Sequence, residues 1–152
     1  MNINKFTQKS MEAVQNCEKL AYEHGNQQLE QEHLLYSLLT LEDSLILKLI
    51  TKMNISKEMF MNEAEQAVNR LTKVSNDLNK VLISAEDEAK AMGDEYVSVE
   101  HLFLAMLKQP DKTLKELFKQ YGITRESFLQ ALSTVRGNQR VVSDNPEATY
   151  DT

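Results

Sequence analysis

The sequence predicts an all-α fold of about eight helices, arranged as two repeats of four. Three observations carry this. Apolar residues recur at helical spacing in one segment after another, and no convincing alternating strand appears. Glycine and proline number only 4 and 2 among 152 residues, too few for a turn-rich all-β chain. The pattern also repeats, without insertion, at an offset of 68 residues from about residue 10 to about residue 69. That offset pairs Gly25 with Gly93, Glu32-His33-Leu34 with Glu100-His101-Leu102, Ile55 with Ile123 and Phe60 with Phe128.

In the first repeat, Phe6, Ala13, Val14, Cys17, Leu20 and Ala21 mark a helix that stops at Gly25, a residue free to adopt positive φ. Leu34, Leu35, Leu38, Leu39 and Leu41 mark a second helix, and the apolar stretch Leu45–Met53 a third. Ser56 is placed to N-cap a fourth, Lys57–Leu71, whose expected buried face carries Met59, Phe60, Ala64, Ala67, Val68 and Leu71. The second repeat copies this. Leu78, Val81, Leu82, Ala85, Ala89 and Met92 form a stripe ending at Gly93, and Ser98 is placed to cap the helix holding Leu102, Phe103, Ala105, Met106 and Leu107. A third helix follows Pro110, from about Asp111 to Tyr121. Thr124 is placed to cap the last helix, with Phe128, Leu129, Leu132 and Val135 inward. Residues 72–77 read as a polar joint. From Gly137 onward the periodicity is lost, and residues 138–152 read as a linker or disordered end. The expected domain is residues 1–137, with repeats at about 6–71 and 78–137.

Composition narrows the functional classes. The formal net charge is −6 and no basic stripe is visible, which argues against a nucleic-acid binder. The single cysteine, Cys17, excludes an intramolecular disulfide framework and fits a reducing compartment. Met1–Ser10 has no apolar core of a secretory leader, and no apolar run approaches the roughly 20 residues that span a bilayer, so a cytoplasmic location away from membranes is expected.

Four pieces carry a resemblance: Asn4-Lys-Phe-Thr-Gln-Lys-Ser10, Gln31-Glu-His-Leu-Leu35, Gly93-Asp-Glu-Tyr-Val-Ser-Val-Glu-His-Leu102 and Val135-Arg-Gly-Asn-Gln-Arg140. Together they resemble the N-terminal domain of the Clp-type AAA+ unfoldases. The run from Val135 to Asn145-Pro-Glu-Ala-Thr-Tyr150 is similar to the disaggregase branch of that family. Gln31 and Thr72 depart from the pattern, since many members carry proline at both places. The resemblance implies two four-helix repeats related by a pseudo-twofold, monomeric as an isolated domain. It implies a linker leading toward ATPase modules that are absent from this sequence and form a hexameric ring. It also implies a role in capturing unfolded or aggregated polypeptides for threading by that ring. Adaptor docking, as in other members, is the alternative. Thr7, Asp94 and Glu100 match positions that the family uses in substrate handling. The expected groove runs between the first helix of repeat one and the start of the second helix of repeat two. There, Glu100→Ala and Asp94→Ala should weaken capture without unfolding the domain.

Enzymatic chemistry finds little support in the residues. No Gly-x-x-x-x-Gly-Lys-Ser/Thr loop exists and the glycines are scattered, so any ATP chemistry belongs to the ATPase modules and no cofactor is expected in this chain. His33 and His101 each follow a glutamate at equivalent positions. Their spacing is wrong for a His-Glu-x-x-His metal site, which favours packing at a helix start, with no metal and no catalytic residue expected. Cys17 lies on an apolar stripe and reads as a core thiol. Met59 and Met106 read as core. Met61 reads as either core or an adaptable outer surface. The acidic run Glu86-Asp87-Glu88 reads as a solvated face or as the rim of a groove selecting basic segments.

Overall fold

The computed structural model describes residues 3–150. The first repeat contains α1 (Gln8–Glu23), α2 (Gln31–Thr40), α3 (Leu45–Lys52) and α4 (Lys57–Asn69). The second contains α5 (Asp77–Ala91), α6 (Val99–Lys108), α7 (Lys112–Gln120) and α8 (Arg125–Arg136). Single 3-10 turns lie at Ile3–Lys5 and Pro146–Thr149. Corresponding helix boundaries fall at the 68-residue offset or within one residue of it. Among the described residues the only β-type pairing is an isolated parallel bridge between Phe6 and Val97.

The helix starts are chemically specified. Thr7, Ser44, Ser56, Asp111 and Thr124 each accept a backbone N–H from the first turn that follows. α2 and α6 begin differently. His33 Nδ1 accepts the Glu30 N–H at 2.9 Å, and His101 Nδ1 accepts the Ser98 N–H at 2.9 Å. The paired glycines end α1 and α5 with φ of 68° at Gly25 and 72° at Gly93, a conformation in which a Cβ is strained.

The repeats share one core. α1 packs on α2 and α5 on α6, while α3 of the first repeat reaches across to α6 and α8 of the second. Phe60 and Phe128 are both fully buried, as the offset requires. Phe128 stacks on Phe103 with ring centroids 4.6 Å apart, and Phe60 meets Tyr121 edge-on at 5.2 Å. Cys17 is buried against Ala13 and its thiol is pushed up to about 12, chiefly by burial, so it is an inert core group. Met106 is buried. Met59 is not: it is 61% exposed, because the buried face of α4 is Phe60, Ala64, Ala67 and Val68, and Met59 points about 100° away from it. Glu88 is no solvated residue either, since it is buried and takes both guanidinium nitrogens of Arg125, at 2.7 and 2.8 Å, clamping α5 to α8.

Gln31, one of the two departures from the family pattern, stitches the repeats together. Its Nε2 donates to the carbonyls of Asp77 and Gln109 at 3.2 and 3.0 Å, and its Oε1 accepts the Asp111 N–H at 2.8 Å. A proline there could make none of these bonds. Beside it, Lys73 in the joint between repeats pairs with Asp111 and sits 3.5 Å from Glu32 and 3.9 Å from Glu30. Burial, then the neighbouring Asp111, pushes the Glu32 carboxyl up to about 7.

The segment after α8 is not a free end. It crosses the loop between α5 and α6, where Glu95 donates its N–H to the Val141 carbonyl at 2.8 Å. It then reaches the start of α1, where Gln8 donates to the Asp144 carbonyl at 2.6 Å. Val141 and Tyr150 are buried in the core cluster. Two apolar anchors nine residues apart show no helical period, so the sequence pattern gave no sign of this packing.

Candidate polypeptide-binding site

The three residues singled out in the sequence do come together, but under cover. Thr7 caps α1, Asp94 follows Gly93 in the α5–α6 loop, and Glu100 lies in the first turn of α6. Thr7 and Glu100 are fully buried and Asp94 is 7% exposed. The Phe6–Val97 bridge draws the elements together, and Ser10 Oγ donates to the Val97 carbonyl at 2.7 Å. At these three side chains the seam between α1 and α6 is therefore closed.

Arg136, at the end of α8, is the centre of this cluster. It pairs with Asp94 and places Nη1 3.2 Å from Glu100 Oε2. Asp94 also accepts His101 Nε2 at 2.7 Å and the Val141 N–H at 3.0 Å. Burial works against ionised Asp94, but His101, the Val141 amide and Arg136 outweigh it and hold its carboxyl below the usual range. Sequence reasoning missed Arg136, because nothing in the pattern pairs residues 42 apart. Its repeat-one counterpart at the offset is Val68, and that of Asp94 is Asn26, so the partner of the histidine is charged in repeat two and neutral in repeat one.

Glu147 closes the cluster from outside. Its Oε2 accepts the Thr7 hydroxyl at 2.8 Å and the Val99 N–H, the first of α6, at 3.2 Å. A carboxylate is favoured at that helix end. Burial and then the charge of Glu100 nevertheless push the Glu147 carboxyl up to about 7. Glu147 Oε1 is buried here with no hydrogen-bond partner, and the Tyr150 hydroxyl lies against the Glu100 carboxyl. A cavity of about 470 Å³ opens beside them, walled by Gln8, Leu41, Leu45, Val99, Glu147 and Tyr150.

A second concavity is open and mostly apolar. It holds about 400 Å³ between α1 and α5 and is lined by Val14, Ala21, Tyr22, Leu29, Leu78 and Leu82 together with seven polar residues, Glu18, Gln28 and Asn79 among them. Tyr22 is 88% exposed at its edge. Among the described residues no group of three or more His, Cys, Asp or Glu could hold a metal ion, and no helix is long and apolar enough to cross a membrane.

A duplicated four-helix unit with a capped histidine at the start of each second helix defines a double-repeat, all-α domain. The chain belongs to the Clp repeat N-terminal domain family, which matches residues 5–121 and again 75–151. It is similar to the chaperone protein ClpB of Bacillus cereus, with 36% identity over 163 residues, and to that of Nitratidesulfovibrio vulgaris, with 36% over 164. Both alignments take in 99% of this chain and 19% of the relative, so the chain spans about a fifth of the curated relatives it matches. The fold is similar to the crystal structure of the Hsp104 N-terminal domain from Candida albicans, with a TM-score of 0.80, 22% identity and coverage of 97% of this chain and 99% of that one. It also resembles the N-terminal domain of ClpD from Arabidopsis thaliana, with a TM-score of 0.65, 16% identity and coverage of 88% and 98%.

Proposed function

We propose that this domain captures unfolded or aggregated polypeptides in the cytoplasm and delivers them to a hexameric ring of ATPase modules of the kind that ClpB-type chaperones carry, where ATP is used. The observation that supports this reading best is the open apolar cleft between α1 and α5, edged by the exposed ring of Tyr22. A single exposed ring is ordinary on a protein surface, but one that continues an apolar concavity enlarges the area offered to a ligand. The cleft is small and open, which suits short apolar segments held weakly and released readily. Thr7, Asp94 and Glu100 are the proposed polar end of the same site. α1 joins the two ends: it carries Thr7 at its start and Tyr22 about 22 Å further along its axis, the length of roughly seven extended residues. No step in this role needs a nucleotide on the domain.

The experiment is an NMR titration with β-casein, a soluble unfolded protein. Amide shifts should map to α1 and α5, with a dissociation constant in the micromolar range or weaker, about −8 kcal/mol or less in magnitude. Tyr22→Ala should weaken binding several-fold with no loss of fold, since the ring is exposed. Tight binding of one folded protein, and none of casein, would overturn the reading in favour of an adaptor dock.

A further inference from the structure

The closed state of the Thr7–Asp94–Glu100 cluster has a contributor besides the Phe6–Val97 bridge and Arg136, the chain's own segment after α8. Residues 141–150 cross the cluster without regular structure as far as the 3-10 turn Pro146–Thr149, and backbone and side-chain bonds hold them as a peptide ligand is held. The Val141 and Asp144 carbonyls take the Glu95 and Gln8 amides, at 2.8 and 2.6 Å. The Glu147 carboxylate takes the Thr7 hydroxyl and the Val99 N–H, and the Tyr150 ring is buried. Backbone amides provide affinity for any sequence, and one carboxylate and one aromatic pocket provide register.

We propose that this seam is a seat for a carboxylate-bearing polypeptide segment, filled in the resting chain by residues 141–150 and vacated when a captured polypeptide takes their place. The proposal rests on the reading given under Proposed function. Three features favour a replaceable occupant over a permanent one. The segment has no helix beyond the single 3-10 turn Pro146–Thr149, so its own structure does not hold it in place. Its docking leaves Glu147 Oε1 buried without a partner and sets the Glu147 carboxyl against that of Glu100, costs that a permanently packed segment would not carry. The adjoining cavity of about 470 Å³ has Glu147 and Tyr150 as one wall, so release of the segment enlarges an existing opening toward Thr7 and Glu100.

The test locks the segment. The Gln8 and Asp144 side chains meet at 3.2 Å, so Gln8→Cys with Asp144→Cys can form a reversible cross-link. Cys17 is buried and its thiol is pushed up to about 12, so it stays out of the exchange. Binding of β-casein, which carries no cysteine, is measured on the same double variant oxidised and reduced. At least tenfold weaker binding by the oxidised form, restored on reduction, is the expected result. Equal binding by the two forms overturns the proposal while leaving capture at the α1–α5 cleft standing. If neither form nor the parent binds casein, the capture reading fails, and the seat is judged by amide hydrogen exchange alone. There, Tyr150→Ala should speed exchange of the Gln8 and Glu95 amides at least tenfold relative to amides inside α2 and α6. Unchanged exchange at those two amides overturns the proposal.

Discussion

His33 and His101, 68 residues apart, do the same work in the two repeats. Each ring accepts a backbone N–H on Nδ1, which leaves the proton on Nε2, and each passes that proton to the residue just after its glycine turn. His33 donates to Asn26 at 2.9 Å and His101 to Asp94 at 2.7 Å. Both are helix-start fixtures, fully buried, and their partners decide the rest. In repeat one the histidine's partner is neutral. Repeat two acquires a charge, an arginine to meet it and a third carboxylate from the C-terminal segment.

The neutral member gives the first prediction. Burial, then the nearby His24, pushes His33 down to about 4. The unfolded chain therefore takes up the proton more readily than the folded one, and stability should be fully present above the ordinary histidine value of about 6.5 and fall as pH drops through 4. Urea melts at pH 7, 5.5 and 4, with the ring followed by NMR, check this. A ring that titrates near 6.5 would contradict the neutral, buried assignment.

Asp94 gives the second. Asp94→Ala would leave Arg136, His101 Nε2 and the Val141 amide facing a gap in a buried site, and removing one partner of a buried pair costs about 3–5 kcal/mol. This expectation stands against the sequence-based one, that the change spares the fold. Asp94→Asn, which installs the residue of repeat one, keeps the histidine bond and should cost less. Thermal melts of the two variants give the order directly.

Gln31 gives the third. Gln31→Leu keeps much of the volume but removes three hydrogen bonds to backbone groups of the second repeat and leaves the buried Asp111 N–H without a partner. A loss of about 1–3 kcal/mol follows from that orphaned donor. Denaturant midpoints measure it, and an unchanged midpoint would mean that the repeats do not depend on this stitch.

The fourth concerns the core. Phe60→Ala and Phe128→Ala each empty a fully buried site in equivalent positions, and each should cost about 3–5 kcal/mol in a thermal or urea melt. Similar losses at both would show that the repeats share one cooperative core.

The repeat and its helices were legible because a buried helix face writes a period of 3.6 into the sequence, and a duplication writes it twice. Periodicity does not resolve everything at the edge of a stripe: Met59 sits next to Phe60 in sequence yet faces solvent. The site was legible only in part. Thr7, Asp94 and Glu100 were marked by resemblance, whereas Arg136 and Glu147 enter through contacts 42 and 140 residues long that leave no local pattern. The C-terminal segment was misread for the same reason, since backbone amides hold much of it and such bonds are indifferent to side-chain type.

The last prediction follows from Glu147. Its carboxyl stands at about 7 when docked and at about 4.5 when released, so the docked segment holds a proton more firmly than the free one. Docking is then fully favoured below about 4.5 and weakens as pH rises through 7, by up to roughly 3 kcal/mol at about 1.4 kcal/mol per pH unit. The groups that face it set this sign. Glu100 raises the carboxyl and the Thr7 and Val99 donors lower it. Asp94, Arg136 and Tyr150 complete the cluster, and Lys9, Glu12, Glu42, Asp43 and Lys48 surround the adjoining cavity. Glu147→Gln keeps the acceptor for Thr7 and removes the charge, so it should keep the segment docked and flatten the response. The Glu32 carboxyl, also held near 7, responds in the same direction but acts on the joint between repeats, so the readout must be local. The Glu95 amide, which donates to the Val141 carbonyl, is suited to this. Its NMR shift should move toward the released position between pH 6 and 8 in the parent and stay fixed in Glu147→Gln. Identical titrations in the two proteins would show that Glu147 carries no proton at neutral pH and does not control docking.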